Sequence, residues 1–402
     1  MNRSRMMRKA VVLAIFLFPL LLLGGCWSSL ELNERAFARM LIVDKAEDGV
    51  ELTLVFPLTN RLIPATAEGT GQQEGKAFSY ISQTGIDIGQ AYRNIQVNLT
   101  RKINFGQTRV IVIGRELAEE GVESVLEFIG RNAPFYLNSK LYITSGRAHD
   151  VAKIATVSER FPSEVLAKFS ELHMTIDTSS KDVMAANFNG GDIMIPLLQL
   201  EKKRIESERE KEQLWVHSTG AAILKAGKMV DTLNMKEMRG GLWILGKLKD
   251  AEITVQSPTD RRHVSFLIRN THTRTKPELS RGRMAIRIEA NADASVISSE
   301  SNIDLADPKM LKMVETSLNH EIYRRMMSAI AKTRNAKSDA FNFGSCIDWF
   351  YPREWQRIKP HWREIYADSL AFRVQPDVKI RQVGTIKESV VKILVPKRRD
   401  EK

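Results

Sequence analysis

The chain has 402 residues, 43% hydrophobic and 27% charged, which is enough material for two or three domains with real cores and excludes a disordered protein. Its formal net charge of +12 is uneven: the first 25 residues contribute +4 and residues 214–402 contribute +12, leaving residues 26–213 at −4. Only two cysteines occur, Cys26 and Cys346, which excludes a disulfide-stapled scaffold.

Arg3, Arg5, Arg8 and Lys9 form a positive segment without an acidic residue, and an uninterrupted apolar run from Ala10 to Leu23 follows. That run of 14 residues is shorter than the ~20 a helix needs to span ~30 Å of hydrocarbon. It fits the apolar core of a secretory leader instead. Leu23-Gly24-Gly25-Cys26 closes it as a lipobox: the small residues admit a narrow peptidase groove, and a thiol beside the cut takes a diacylglyceryl group. Residues 1–25 are therefore predicted to be a lipoprotein signal peptide. Cys26 is the predicted lipidation site and first mature residue, which tethers the protein to the outer face of a membrane.

Residues 31–39 read as a polar connector or frayed helix. Met40 to Val43 and the alternating Val50, Leu52, Leu54, Phe56 and Leu58 predict a hairpin turning at Glu47-Asp48-Gly49. Residues 59–76 predict an exposed loop. Ile88, Tyr92, Ile95 and Leu99 recur at helical spacing. Val110 to Ile113 predicts a strand covered on both faces. A helix from Gly114 with Leu117, Val122, Leu126 and Ile129 inward, then a strand at Leu141 to Ile143, complete a crossover unit. Two more helices follow, one opening with Pro162 and burying Val165, Leu166, Phe169 and Leu172.

Residues 201–212 carry ten charges of both signs, so the charged segment 201–213 is predicted to be a linker. It divides an N-terminal domain, 26–200, from a C-terminal domain, 214–402. The second half opens with a hairpin, Ala221 to Leu224 and Met229 to Leu233. Strands are predicted at Leu242 to Leu245, Ile253 to Val255, Val264 to Ile268 and Met284 to Ala290. Asp307-Pro308 starts a helix, with a capping carboxylate and a proline in the first turn, and Leu311, Val314, Leu318, Ile322, Met326 and Ala329 form its inner stripe. A helix at about 353–367 buries Trp355, Ile358, Trp362 and Ile365, and a strand pair, Phe372 to Ile380 and Val390 to Val395, closes the chain around Gly384. The fold class is α+β in both halves, with helices packed on mostly antiparallel or mixed sheets.

No catalytic constellation emerges. The seven histidines are scattered, with no zinc spacing, and His272 reads as a loop residue. No Gly-x-Ser-x-Gly elbow occurs. The stretch from Gly69 to Gly75 superficially resembles a phosphate loop, but it neither follows a clear strand nor opens a helix, and it reads as a flexible loop. Cys346, beside Phe343, Ile347 and Trp349, reads as a small core hydrophobe. The aromatics Phe341, Phe343, Trp349, Phe350, Tyr351, Trp355, Trp362 and Tyr366 read as core rather than as a sugar or peptide platform. No metal, cofactor or nucleic acid is implied; the basic second half could approach anionic headgroups or an acidic partner.

Cys26-Trp27 and the run Asp339-Ala-Phe341-Asn-Phe343-Gly344, then Tyr351-Pro352-Arg-Glu-Trp355-Gln-Arg-Ile-Lys359-Pro-His-Trp362, resemble the Ger(x)C family. So do Gly106 to Ala118 with Gly121 and Arg131-Asn132, and Gly220-Ala-Ala-Ile with Gly240-Gly-Leu-Trp243. Three positions depart from the family pattern: Ser28, Gln107, and Asn342 where a glycine stands. The resemblance implies the lipid-anchored C subunit of a spore nutrient-germinant receptor, a non-enzymatic lipoprotein on the outer face of the spore inner membrane. It implies two integral membrane partners, one multi-pass and transporter-like. The rival reading is a solute-binding lipoprotein of a transporter, which should show two similar lobes around a cleft; an exported enzyme is a third.

Overall fold

The computed structural model describes residues 31–58, 76–131, 135–188, 190–204 and 212–383, besides Met7. The leader, Cys26, the loop residues 59–75 and the strand expected at 390–395 lie outside the described residues. Two sheets carry an α+β architecture, one of eight strands and one of four, with a two-stranded piece beside them.

A short 3-10 turn at Leu32–Glu34 leads into β1 (Arg35–Phe37). The predicted hairpin is β2 (Met40–Ala46) with β3 (Gly49–Pro57), and β4 (Phe78–Gly85) adds to it. Helix α1 (Ile88–Gln96) is capped by Asp87, whose carboxylate accepts the Gln90 N–H at 2.6 Å. Next come β5 (Lys102–Asn104), parallel to β1, and β6 (Val110–Ile113), buried at all four positions. The single helix expected after Gly114 is two helices, α2 (Arg115–Glu120) and α3 (Glu123–Arg131). Gly121 separates them at φ +144°, a conformation closed to residues with a side chain. β7 (Lys140–Thr144) then pairs in parallel with β6 and completes the crossover unit. On α4 (Pro162–Glu171) Leu166 is buried and Val165 and Phe169 are partly covered. Leu172, expected inside, is exposed because it caps the helix rather than continuing its inner face.

After α5 (Ser180–Phe188), strands run into both ends of the predicted linker, whose residues 205–211 lie outside the described residues. β8 (Ile193–Arg204) and β9 (Glu212–Lys225) pair as far as the described ends of the charged segment, Glu201 opposite Trp215 and Arg204 opposite Glu212. Glu201, Lys202, Lys203 and Arg204 are all exposed. The backbones pair while these four charges stay in water, even though Leu214 on the facing strand packs against the core. β10 (Lys228–Asn234) extends the same sheet, whose order is β10-β9-β8-β7-β6-β2-β3-β4. The eight-stranded sheet thus continues past residue 213.

Helix α6 (Met235–Ile244) replaces the strand expected at Leu242 to Leu245. Asn234 and Glu237 form a reciprocal capping box, and Met238, Leu242, Trp243 and Ile244 are buried. A four-residue apolar run fits a buried helix end as well as a strand. The second sheet joins β11 (Ala251–Gln256), β12 (His263–Ser280), β13 (Arg283–Ser299) and β14 (Ala371–Gln382), antiparallel except for the parallel β13–β14 pair. His272, expected in a loop, is an exposed strand residue opposite Asn291. Helix α7 (Pro308–Asn335) begins at the predicted Asp307 cap, which accepts the Lys309 N–H at 2.8 Å, and buries Val314, Leu318, Ile322, Met326 and Ala329.

The outer edge of β14 is closed by that helix. Asn319 donates to the Val378 carbonyl at 3.1 Å and accepts its N–H at 2.8 Å, while Glu315 accepts the Ile380 N–H at 3.0 Å. Pro376, on the same strand, has no N–H to leave unpaired. The predicted helix at about 353–367 is a broken run: α8 (Phe343–Phe350) ahead of it, then α9 (Pro352–Ile358) and α10 (Trp362–Glu364). One core joins both halves, packing Met194, Ala221 and Ile223 of the first sheet with Phe266 and Ile288 of the second and with α6 and α7.

Candidate functional site

The motif that carries the family resemblance folds around one buried carboxylate. Asp339 Oδ1 accepts the Phe343 N–H at 2.9 Å, and Oδ2 accepts the Gly344 N–H at 2.7 Å and the Trp362 indole N–H at 3.0 Å. Burial pushes the Asp339 carboxyl up to about 7, against the pull of these three donors. Asn342 sits in the left-handed region at φ 60° and ψ 37°. That conformation suits glycine and, next best, asparagine, which accounts for Asn342 at a glycine position of the pattern. Gly344 lies against the tryptophans: an added Cβ would stand 2.6 Å from Trp355 Cη2 and 3.0 Å from Trp362 Nε1. The two indoles meet edge to face, with ring centroids 5.3 Å apart.

A second carboxylate ties this turn to the first sheet. Asp192, just before β8, accepts the Asp339 N–H at 2.8 Å and the Ala226 N–H at 3.0 Å. Arg363 grips it with two nitrogens, each at 2.8 Å, and also donates to the carbonyls of Lys337 and Gly190 at 3.0 and 3.2 Å. Residues from before β8, the β9–β10 turn, the end of α7 and α10 therefore meet at one clasp. Both carboxylates are occupied by donors of this chain, so the chemistry is positional: it fixes how the two sheets sit together.

A smaller polar cluster lies at the other end of the first sheet. Asp44 accepts the N–H groups of Ala148 and His149, each at 2.7 Å, and burial raises its carboxyl above the ordinary range. His149 Nδ1 is 3.2 Å from Thr53 Oγ1 and 3.3 Å from Ser82 Oγ. These contacts order the loop after β7.

Of the aromatics expected in the core, Phe341, Phe343, Trp355, Trp362 and Tyr366 are buried and Tyr351 is partly covered. Trp349 and Phe350 depart from that expectation, at 85% and 49% exposure. They follow Ile347, the last inward residue of α8. Cys346 is a half-buried free thiol, 4.0 Å from the Thr275 carbonyl, and burial pushes its pKa up. Among the described residues no group of three or more His, Cys, Asp or Glu side chains could hold a metal. The predicted lipidation site, Cys26, lies outside the described residues. The sequence reading missed Asp192 and Arg363; Gly190-Gly191-Asp192 signals a turn, but nothing in it names a partner 171 residues away.

Comparison with known proteins agrees along nearly the whole chain. Residues 28–200 match the family described as spore germination protein N-terminal domain, and residues 219–384 match spore germination B3/GerAC like, C-terminal. Spore germination protein KC of Bacillus subtilis (strain 168) is 25% identical over 396 residues, covering 94% of this chain and 97% of that protein. Putative spore germination protein YfkR of the same organism is 24% identical over 376 residues, covering 92% and 96%. The crystal structure of the GerBC protein superposes with a TM-score of 0.56 at 19% identity, covering 86% of this chain and 98% of that one, so the two share a fold. With two germination domains in tandem, relatives spanned almost end to end and the motif residues built into the clasp, this chain belongs to the Ger(x)C family of spore germination proteins.

Proposed function

We propose that this protein is the lipid-anchored, non-catalytic subunit of a nutrient germinant receptor, held by Cys26 on the outer face of the spore inner membrane and required to trigger germination. The observation that carries the reading is the order of parts: a leader ending in Leu23-Gly24-Gly25-Cys26, followed directly by the two germination-family domains. It is supported by the absence, among the described residues, of any helix long and apolar enough to cross a membrane. One acyl chain holds a protein only marginally, whereas a diacyl anchor is the two-chain case that holds stably. Confinement to the bilayer surface raises the effective concentration toward integral partners, so individually weak contacts suffice to assemble a complex. The partners are two integral membrane subunits, one multi-pass and transporter-like. The Asp192–Arg363 clasp supports this role by presenting both halves as one surface. Affinity purification of the native lipoprotein from spore membranes tests the assembly. Recovery with integral membrane subunits is expected, and recovery alone favours a solute-binding lipoprotein instead.

A further inference from the structure

Six strands of the large sheet, β2, β4, β6, β7, β8 and β10, begin at one end. Met40 is opposite Val110, Val110 is opposite Lys140, and the pairing of Ile143 with Leu197 brings Met194 level with Lys140. β1 leads into the same end, where Ala38 donates to the Asn104 carbonyl of β5 at 3.0 Å. The end of α1 is fastened there too, through Gln96, whose amide bonds Arg101 and Ile103 at 2.9 Å each. Leu137 joins it by accepting the Lys181 N–H at 2.9 Å.

Four exposed large apolar residues stand on segments that reach this end: Leu32 ahead of β1, Val97 after α1, Leu137 ahead of β7, and Phe188 at the end of α5, whose neighbour Asn187 lies beside Gly227 of the β9–β10 turn; they are exposed by 74%, 83%, 46% and 92%. Scattered single exposures need no explanation, but four that share one end of a sheet do. Exposed cations, Arg101, Lys102, Arg109 and Lys181, lie beside Val97 and Leu137, whereas Glu31 and Glu34 stand on either side of Leu32 and Asp182 adjoins Lys181. Arg109 also lies over the Tyr136 ring, 4.9 Å from its centroid. The first described body residue, Glu31, follows Cys26 by five residues, which at full extension span at most roughly 18 Å.

We propose that this end of the eight-stranded sheet is a second membrane contact. Leu32, Val97, Leu137 and Phe188 enter the headgroup layer of an anionic bilayer, and the flanking cations meet lipid phosphates. The proposal rests on lipidation at Cys26, because six residues of chain keep Leu32 within roughly 22 Å of the bilayer surface. It fixes the orientation of the body: strand starts toward lipid, and Ile86, beyond the opposite end of β4, toward water.

The test uses the full-length protein, purified with its lipid in a Cys346→Ser background and reconstituted on vesicles of phosphatidylethanolamine and phosphatidylglycerol without other proteins. An environment-sensitive fluorophore is placed at Val97→Cys, Leu137→Cys or Ile86→Cys. The expected result is blue-shifted emission at Val97 and Leu137, quenched by a nitroxide lipid and shielded from iodide, with Ile86 open to iodide. Equal access of iodide to all three probes overturns the docking face, whether or not Cys26 is lipidated, and leaves a protein partner as the occupant of that end. Mass analysis of Cys26 in the same sample separates the two claims: an unmodified thiol with lipid-quenched probes removes the anchor and retains the docking face.

Discussion

The indole N–H of Trp362 donates to Oδ2 of Asp339 at 3.0 Å, and the Gly344 N–H donates to the same oxygen at 2.7 Å. This shared acceptor leaves no room beside Gly344, where a methyl group would press on Trp355 and Trp362. Gly344→Ala is expected to destabilise the protein by about 1–3 kcal/mol through forced displacement of both indoles. Urea unfolding followed by tryptophan fluorescence measures it. An unchanged midpoint would show that the turn has slack that the geometry denies.

The same carboxyl makes stability depend on pH. Asp339 is raised from 3.8 to about 7 by burial, so the folded state holds its proton more tightly than the unfolded chain does. Its contribution is therefore fullest below the unfolded value and is lost as pH rises through about 7. The shift corresponds to roughly 4 kcal/mol at most. Asp339→Asn sets an amide against the Gly344 and Trp362 donors, so it lowers stability throughout and removes this slope. Unfolding midpoints from about pH 5 to pH 8 for both proteins test the assignment. Parallel profiles would place the titrating group elsewhere.

Arg363 and Asp192 form the bidentate element of the clasp, and a lysine at 363 could not reproduce two parallel hydrogen bonds. Arg363→Lys is expected to cost about 1–3 kcal/mol. A double-mutant cycle with Asp192→Asn should return a coupling of roughly 0.5–3 kcal/mol. Additive effects would mean that the pair does not hold the two sheets together.

Periodicity made most of the fold legible. The β2–β3 hairpin, the buried β6 and the α7 stripe all follow from spacings of two or of three to four residues, and Asp307-Pro308 marked a helix start through its own capping chemistry. The failures have local causes. Leu242 to Ile244 is too short an apolar run to separate helix from strand, and the capping box before it was the missed cue. Charge along 201–204 reported solvation and said nothing about backbone pairing. Trp349 stands outside because α8 ends one turn before the stripe that buries Trp355 and Trp362 begins. The candidate site was legible in half: Asp339, Gly344 and the tryptophans stand in one motif, but Asp192 and Arg363 meet only through the topology.

The anchor is the claim on which the receptor reading turns, and Cys26→Ala addresses it most directly. Spores carrying the variant at normal expression should lose the protein from the inner-membrane fraction and respond poorly to nutrient germinants. Full membrane retention together with normal nutrient germination would contradict the account.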